Sequence, residues 1–464
     1  MNGDLDFEYP VVNSLGRQTS SCEISVNTDK IAIKGFSYWR MFLKGEVYAK
    51  EIRFSKPKLI FKTCPKDTAK TSNENTPINL LKPISVDNIV LETGQVQIWD
   101  SQGGERLLKV DTVDFSMKYV GTDSIQIKQY VPFKFEEYSL SLNNISGPSG
   151  EFEEFKVGSF QMDNRIIEIL DLTYYTKYSK TELSKKISYE RDHLTLKVPE
   201  IKIAHHDLKV IDEKLHLDFD TVIANEPLLD VYRDKHLLDN RKRRPLYSEM
   251  LRELPLKLQI NVVTISNGFL TYEEDAPNNE RPGILTFENL YVQIANFSNL
   301  DKEGEEVDIK INSKFMGSGN LVLEWKFDVF DPMETFIISG GLSDLKTNTL
   351  NDFLVPNARL RSEGTIDQMY FTLSGGDYKA QGDIKMNYED FKLELLNKDR
   401  SQVKKFISFI GNLFINDGSK VDADGYRHGK MEVERDQHKS FFNYLWMGLE
   451  DGLIDVITGS GKKK

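Results

Sequence analysis

The chain has 464 residues, 39% hydrophobic and 28% charged, with a net charge of −12. An acidic balance of this size argues against non-specific nucleic-acid binding, which needs a basic footprint. Cys22 and Cys64 are the only cysteines; two so far apart make neither a disulfide framework nor a metal site, and their pairing is not legible from sequence.

At the start, Asp4, Asp6 and Glu8 interrupt any apolar leader, and no run in the chain approaches a membrane span. Taken alone, this points to a soluble, cytoplasmic chain, the alternative being a fragment whose targeting segment lies upstream. Residues 22–400 then alternate apolar and polar positions, the period of strands with one buried face. One template recurs: apolar, two spacers, apolar, one spacer, apolar, four spacers, apolar, one spacer, apolar. It reads Ala49, Ile52, Phe54, Leu59, Phe61, and again Val86, Ile89, Leu91, Val96, Ile98. Further copies are Val157, Phe160, Met162, Ile167, Ile169; Val198, Ile201, Ile203, Leu208, Val210; and Ile260, Val263, Ile265, Leu270, Tyr272. The phase breaks at Lys56-Pro57, Thr93-Gly94, His205-His206 and Asn267-Gly268, residues suited to turns and bulges. Each copy is therefore predicted as strand, turn or bulge, strand. The uneven spacing of the copies predicts an irregular meander rather than a solenoid of fixed period.

Helical spacing begins at Leu228, Leu229, Tyr232 and Leu238, breaks at Pro245, and resumes through Leu246, Met250, Leu251 and Leu254. Between the two stretches lies Arg241-Lys242-Arg243-Arg244. A second helix is predicted at 401–415, and a third after Ser440, carrying Phe441, Phe442, Leu445, Trp446, Leu449, Leu453, Val456 and Ile457. Gly448 and Gly452 suit close packing, and Glu450, Asp451 and Asp455 exclude a membrane span. The expected fold is mainly β: a long curled antiparallel β-sheet, groove-like and built from degenerate repeats, with a few short amphipathic α-helices. Four segments follow: a β-repeat region at 1–225, a helical insertion at 226–254, a β region at 255–400, and helices with a tail at 401–464. So few helices cannot cover the apolar face of so long a sheet. A second sheet, closure of the same sheet, or a ligand with a large apolar surface must do so.

The region 255–395 carries Leu254-Pro255-Leu256-Lys257-Leu258, Asn267-Gly268-Phe269-Leu270-Thr271-Tyr272-Glu273-Glu274, Gly283-Ile284-Leu285-Thr286-Phe287 and Met316-Gly317-Ser318-Gly319-Asn320-Leu321. Phe327-Asp328, Leu350-Asn351, Glu363-Gly364-Thr365-Ile366, Gly375-Gly376, Gly382 and Tyr388-Glu389-Asp390 follow in order. This succession resembles the C-terminal region of AsmA-like bacterial envelope proteins, the AsmA/TamB/YhdP group. The resemblance implies a periplasmic body associated with the inner membrane. It also implies a β-groove whose apolar interior carries phospholipid acyl chains, and a role in inter-membrane lipid transport or outer-membrane maintenance. Phospholipid, the membrane surface and envelope proteins are the implied partners; nucleic acid is not one, and no cofactor or catalysis is expected.

On this reading the groove is lined by Ile52, Phe54, Leu59, Phe61, Ile89, Leu91, Val96, Ile98, Ile201, Ile203, Val263, Ile265, Leu270 and Tyr272. The alternative for these side chains is an ordinary sandwich core. Arg241, Lys242, Arg243 and Arg244 are candidates for contact with anionic headgroups, the alternative being a solvated helix end. The terminal helix either dips into a membrane interface or covers an open sheet edge. His205-His206-Asp207 and Asp422, Asp424, Gly425 have partial metal-ligand character, but each reads better as a turn. No nucleophile elbow, P-loop, zinc-protease or dinucleotide-binding motif occurs. A carbohydrate-binding or carbohydrate-active all-β protein is the other functional reading.

Overall fold

A computed structural model describes residues 2–13, 23–63, 83–102, 104–122, 133–211, 214–277, 279–301, 304–396 and 421–458. The predicted helix at 401–415, both cysteines and the Lys462–Lys464 tail lie outside these residues. The chain is mainly β with a few short helices and divides into two compact units: Met1–Lys177 with Pro199–His206, and Tyr178–Val198 with Asp207–Lys464.

The first unit contains β1 (Asn2–Glu8), β2 (Val11–Asn13), β3 (Glu23–Asn27), β4 (Lys30–Ser37), α1 (Tyr38–Leu43), β5 (Val47–Ser55) and β6 (Lys58–Lys62). These are followed by β7 (Ile84–Trp99), β8 (Arg106–Thr122), β9 (Glu137–Pro148), β10 (Glu153–Asp163) and β11 (Ile166–Thr176). From β7 to β11 each strand pairs antiparallel with the next. β5 and β6 instead both pair parallel with β7, so the expected antiparallel sheet is in fact mixed. The cause is Lys56, whose φ of 49° makes a bulge and not a reversal. β6 therefore continues in the direction of β5. β6 ends at Lys62 and β7 begins at Ile84, a separation in sequence long enough for the crossover that parallel pairing requires. Alternation alone does not separate the two cases, because its period is the same in both.

The second unit begins with α2 (Lys180–Lys186) and contains β12 (Asp192–Ile211), β13 (Lys214–Asn225), β14 (Leu228–Asp234), α3 (Tyr247–Arg252), β15 (Lys257–Asp275), β16 (Gly283–Ser298) and β17 (Val307–Phe315). Of β12, Pro199–His206 belongs to the first unit. β18 (Gly319–Phe327), β19 (Phe336–Lys346), α4 (Asn351–Ala358), β20 (Leu360–Gly375), β21 (Lys379–Leu395), β22 (Arg427–Glu434) and α5 (Phe441–Thr458) complete it. Leu228, Leu229 and Tyr232, expected in a helix, lie in strand β14. A short apolar run is ambiguous by spacing, and here pairing with β12 and β15 decides it. Only the Tyr247–Arg252 part of that segment is helical, burying Leu251.

From β15 to β22 the strands pair antiparallel in chain order, and their apolar residues close into one core with α3 and α5. Trp325 stacks on Phe441 at 4.4 Å, and Phe336 meets the same ring edge-on. Leu373, Met386 and Val456 are fully enclosed. Asn351 has a mechanical role: it accepts from Ser362 N at 2.8 Å and donates to Ser362 O at 3.0 Å, tying α4 to β20.

The terminal helix forms as predicted, with Ser440 Oγ accepting from Asn443 N at 3.3 Å. A Cβ on Gly452 would lie 2.5 Å from Met431, so the helix approaches β22 only because that position is glycine. Asp455 and Asp451 accept from the backbone N–H groups of Lys430 and Glu432 in β22, both at 2.8 Å. The helix thus satisfies donors along that strand which would otherwise seek another chain. Asp451→Ala and Asp455→Ala are each expected to cost about 1–3 kcal/mol, and the double variant to self-associate. Thermal unfolding with light scattering checks this; an unchanged midpoint in the double variant rules out the edge-sealing role.

Candidate functional site

Residues directly opposite one another in neighbouring strands share a face of the sheet. In the first unit this places Leu5, Ile33, Ile52, Ile89, Met117 and Tyr138 in one row across β1, β4, β5, β7, β8 and β9. The neighbouring row is Phe7, Ile31, Phe54, Leu91, Phe115, Leu140, Met162 and Ile167. Beyond the bulges run Val26, Leu59, Val96, Val110, Ile145 and Val157, then Ile24, Phe61, Ile98 and Leu108. Eight of the predicted lining residues therefore lie on one continuous apolar face.

The bulges keep the face continuous. Lys56 and Thr93 have φ of 49° and 55° and occupy equivalent positions in β5–β6 and β7. Thr93 N is held by Asp114 Oδ1 at 2.8 Å. Each bulge absorbs the odd residue in the template, so Leu59 and Val96 return to the side of Phe54 and Leu91.

The opposite face is charged. Lys34 meets Glu51 at 3.0 Å, Arg53 meets Glu51 at 3.1 Å and also reaches Glu92, and Lys118 meets Glu137 at 2.7 Å. Exposed pairs of this kind add little stability each. Their effect is to fix which side of the sheet faces water.

Ile52, Phe54, Leu59, Phe61, Ile89, Leu91, Val96, Ile98, Ile201 and Ile203 are all half-buried, while Phe7 and Ile24 are exposed. Val110, Met117 and Ile167 on the same rows are buried, so the cover of this face is partial and uneven. α1 is the only helix among the unit's described residues, and it buries none of its own side chains.

Val263, Ile265, Leu270 and Tyr272 lie in the second unit, on β15. Val222, Ala224, Leu229 and Val231 of β13 and β14 face them in parallel register, beginning at Phe219 opposite Ile260. These five residues fit the template, with the bulge at Glu226-Pro227 (φ 51° at Glu226), and make a further copy beyond the five in the sequence analysis. The small Ala224 and the apparent helical run from Leu228 concealed the pattern. The matching bulge pairs in the two units make the same contacts: Lys56 N to Glu92 O and Gln95 N to Pro57 O, Glu226 N to Ser266 O and Phe269 N to Pro227 O, all at 2.8 Å.

The surroundings of these β15 residues differ from those in the first unit. Ile265 packs against the second unit's core. Tyr272 donates to Glu274 at 2.7 Å, and burial with that carboxylate beside it pushes the phenol pKa upward. Glu274 lies in a charged row with Arg233 and Asp192, which pair through two 2.7 Å hydrogen bonds. The apolar face of β15 therefore ends at a polar margin. The strands from β17 to β22 contribute instead to the second unit's packed core.

The basic run divides. Arg243 is committed to Glu249 at 2.6 and 2.7 Å and to Asp377 at 3.2 Å, and these hydrogen bonds hold the Glu249 carboxyl below its usual range. Arg244 is anchored through its backbone, its N–H donating to Gln437 O at 2.7 Å and its carbonyl accepting from Arg435. Arg241 and Lys242 are exposed.

His206 Nε2 lies 2.6 Å from Asp163 O, and Asp422 Oδ1 accepts from Asp424 N and Tyr426 N at 2.9 Å, the arrangement of a closed turn. Among the described residues no cluster of His, Cys, Asp or Glu is suited to a metal, and no helix is long and apolar enough to cross a membrane. The crevice between Ser248, Trp325, Glu334 and Phe441 has room for about one water molecule. In comparisons with known proteins, the sequence matches no family model and no curated protein.

Proposed function

We propose that the apolar face of the first unit holds phospholipid acyl chains and shields them from water, in a periplasmic protein of AsmA-like character serving inter-membrane lipid transport or outer-membrane maintenance. The observation that carries this reading is the set of aligned rows from Leu5 to Tyr138 and from Phe7 to Ile167, apolar from strand to strand, half-buried at most positions with Met117 and Ile167 buried and Phe7 exposed, and backed by an ion-paired face. A contiguous apolar surface of this kind is characteristic of a binding site rather than of bare solvent exposure. Each methylene withdrawn from water onto it contributes about 0.8 kcal/mol, so one acyl chain supplies a large driving force while its headgroup stays wet. Transfer by partitioning needs no catalytic group.

A carbohydrate cleft calls for aromatic platforms beside carboxylates. Here the rows are mostly aliphatic, and the carboxylates Glu51 and Glu137 lie on the other side of the sheet. Mass spectrometry of organic extracts from the purified chain tests the proposal. Stoichiometric phospholipid is expected; a clean extract together with glycan binding would establish the carbohydrate reading instead.

A further inference from the structure

Helix α1 presents an unusual surface. Trp39, Phe42 and Leu43 occur at i, i+3 and i+4, one stripe of a helix, and are 66%, 77% and 64% exposed. Tyr38 and Met41 are half-buried, Tyr38 meeting Phe36 edge-on at 5.0 Å, so the helix is seated through those two residues while Trp39, Phe42 and Leu43 face outward. Further contacts hold the helix in place. Ser37 Oγ accepts from Arg40 N at 3.4 Å, Lys44 N closes the turn on Arg40 O at 2.9 Å, and the Arg40 guanidinium lies 4.0 Å above the Tyr48 ring. Tyr48 in turn donates to Asp87 at 2.5 Å. The local charge is also distinctive. Between Asp29 and Glu46 the chain has Lys30, Lys34, Arg40 and Lys44 and no carboxylate, although the whole chain carries −12. Lys30 and Lys34 are spent on ion pairs with Asp6 and Glu51, which leaves Arg40 and Lys44 flanking the stripe.

We infer that α1 is an interfacial membrane anchor that inserts Trp39, Phe42 and Leu43 at the headgroup boundary of a bilayer containing anionic phospholipid. Trp is the side chain best suited to that boundary, with an apolar body and a polar N–H. Arg40 and Lys44 supply the attraction to anionic headgroups, with aliphatic stems that lie along apolar surface. A six-residue helix buries too little area to hold irreversibly, so the contact is reversible and salt-sensitive. The inference does not rest on the acyl-chain reading, since it concerns adsorption to a surface and not extraction of lipid from it.

Flotation of the full chain with phosphatidylcholine vesicles, with and without phosphatidylglycerol, tests it. The chain is expected to float with the anionic vesicles and to be released by high salt. Trp39→Ala/Phe42→Ala/Leu43→Ala should lower the bound fraction by about tenfold or more, and Lys44→Glu should weaken binding to anionic vesicles alone. All four side chains are exposed, so the variants should keep the far-ultraviolet circular dichroism of the parent. Failure of the parent to float, or equal flotation of the triple variant, overturns the inference. So does a parent dimer that the triple variant converts to monomer, which would make a second copy of the chain the occupant of the stripe.

Discussion

Asp377→Ala is expected to destabilise the second unit by about 3–5 kcal/mol, the cost of leaving a buried charge without its partner. The Arg435 side chain is completely enclosed, and burial holds its guanidinium below its ordinary pKa. Asp377 is its ion-pair partner. The same carboxylate accepts from Gln437 Nε2 at 2.6 Å and from Arg243 at 3.2 Å, so it joins the hairpin of β20 and β21, the segment before α3 and the approach to α5. Its removal leaves Arg435 with the Arg244 and residue-377 backbone carbonyls as hydrogen-bond acceptors, and with Glu249 as a more distant carboxylate. Chemical denaturation followed by fluorescence of the enclosed Trp325 measures the loss. The double variant Asp377→Ala/Arg435→Met should recover a large part of it, because it removes both charges. A loss below about 1 kcal/mol in the single variant would show that the network is not what holds these elements together.

Ile89→Asp should leave the first unit folded and reduce bound phospholipid at least tenfold. Ile89 sits mid-row between Ile52 and Met117 and is only half-buried, so the carboxylate of the variant keeps access to water in the empty protein. Only when an acyl chain covers the face does the charge have to be desolvated. Ile265→Asp provides the contrast. Because Ile265 packs against the second unit's core, this variant should lose stability whether or not lipid is present. Phospholipid content per mole of folded protein, beside the unfolding midpoint, separates the two outcomes. Full phospholipid retention in Ile89→Asp would sink the assignment of the binding face.

Much of this architecture is legible residue by residue. The template positions on β5, β6 and β7 lie together on one face because period-two alternation follows from the pleat and owes little to context. Lys56, Thr93, His205 and Asn267, singled out as breaks of phase, all have φ near 50°. Strand partners and direction were not legible, since Val86 alternates in the same way whether Ala49 runs beside it in parallel or antiparallel. Leu228 to Asp234 were misread because a short apolar run has no intrinsic preference strong enough to outvote its neighbours. The α1 stripe escaped notice for a different reason: in one turn of helix, Trp39, Phe42 and Leu43 look like any other buried triplet, and only their exposure distinguishes them.

The bulges at Lys56, Thr93, Glu226 and Asn267 affect how the gene can change. Thr93 and Asn267 are exposed and followed by glycine, which are the marks of sites that ordinarily accept insertions and deletions. Here each is a one-residue frame shifter for the strand beyond it. Deleting Thr93 would turn Val96 and Ile98 toward the ion-paired side and present Gln95 and Gln97 to the apolar one. Phe61 and Leu59 on the adjacent strand would remain in their old frame. Length changes at these surface positions should therefore be acceptable only when neighbouring strands change together, so indel tolerance will be lowest at residues that look most dispensable.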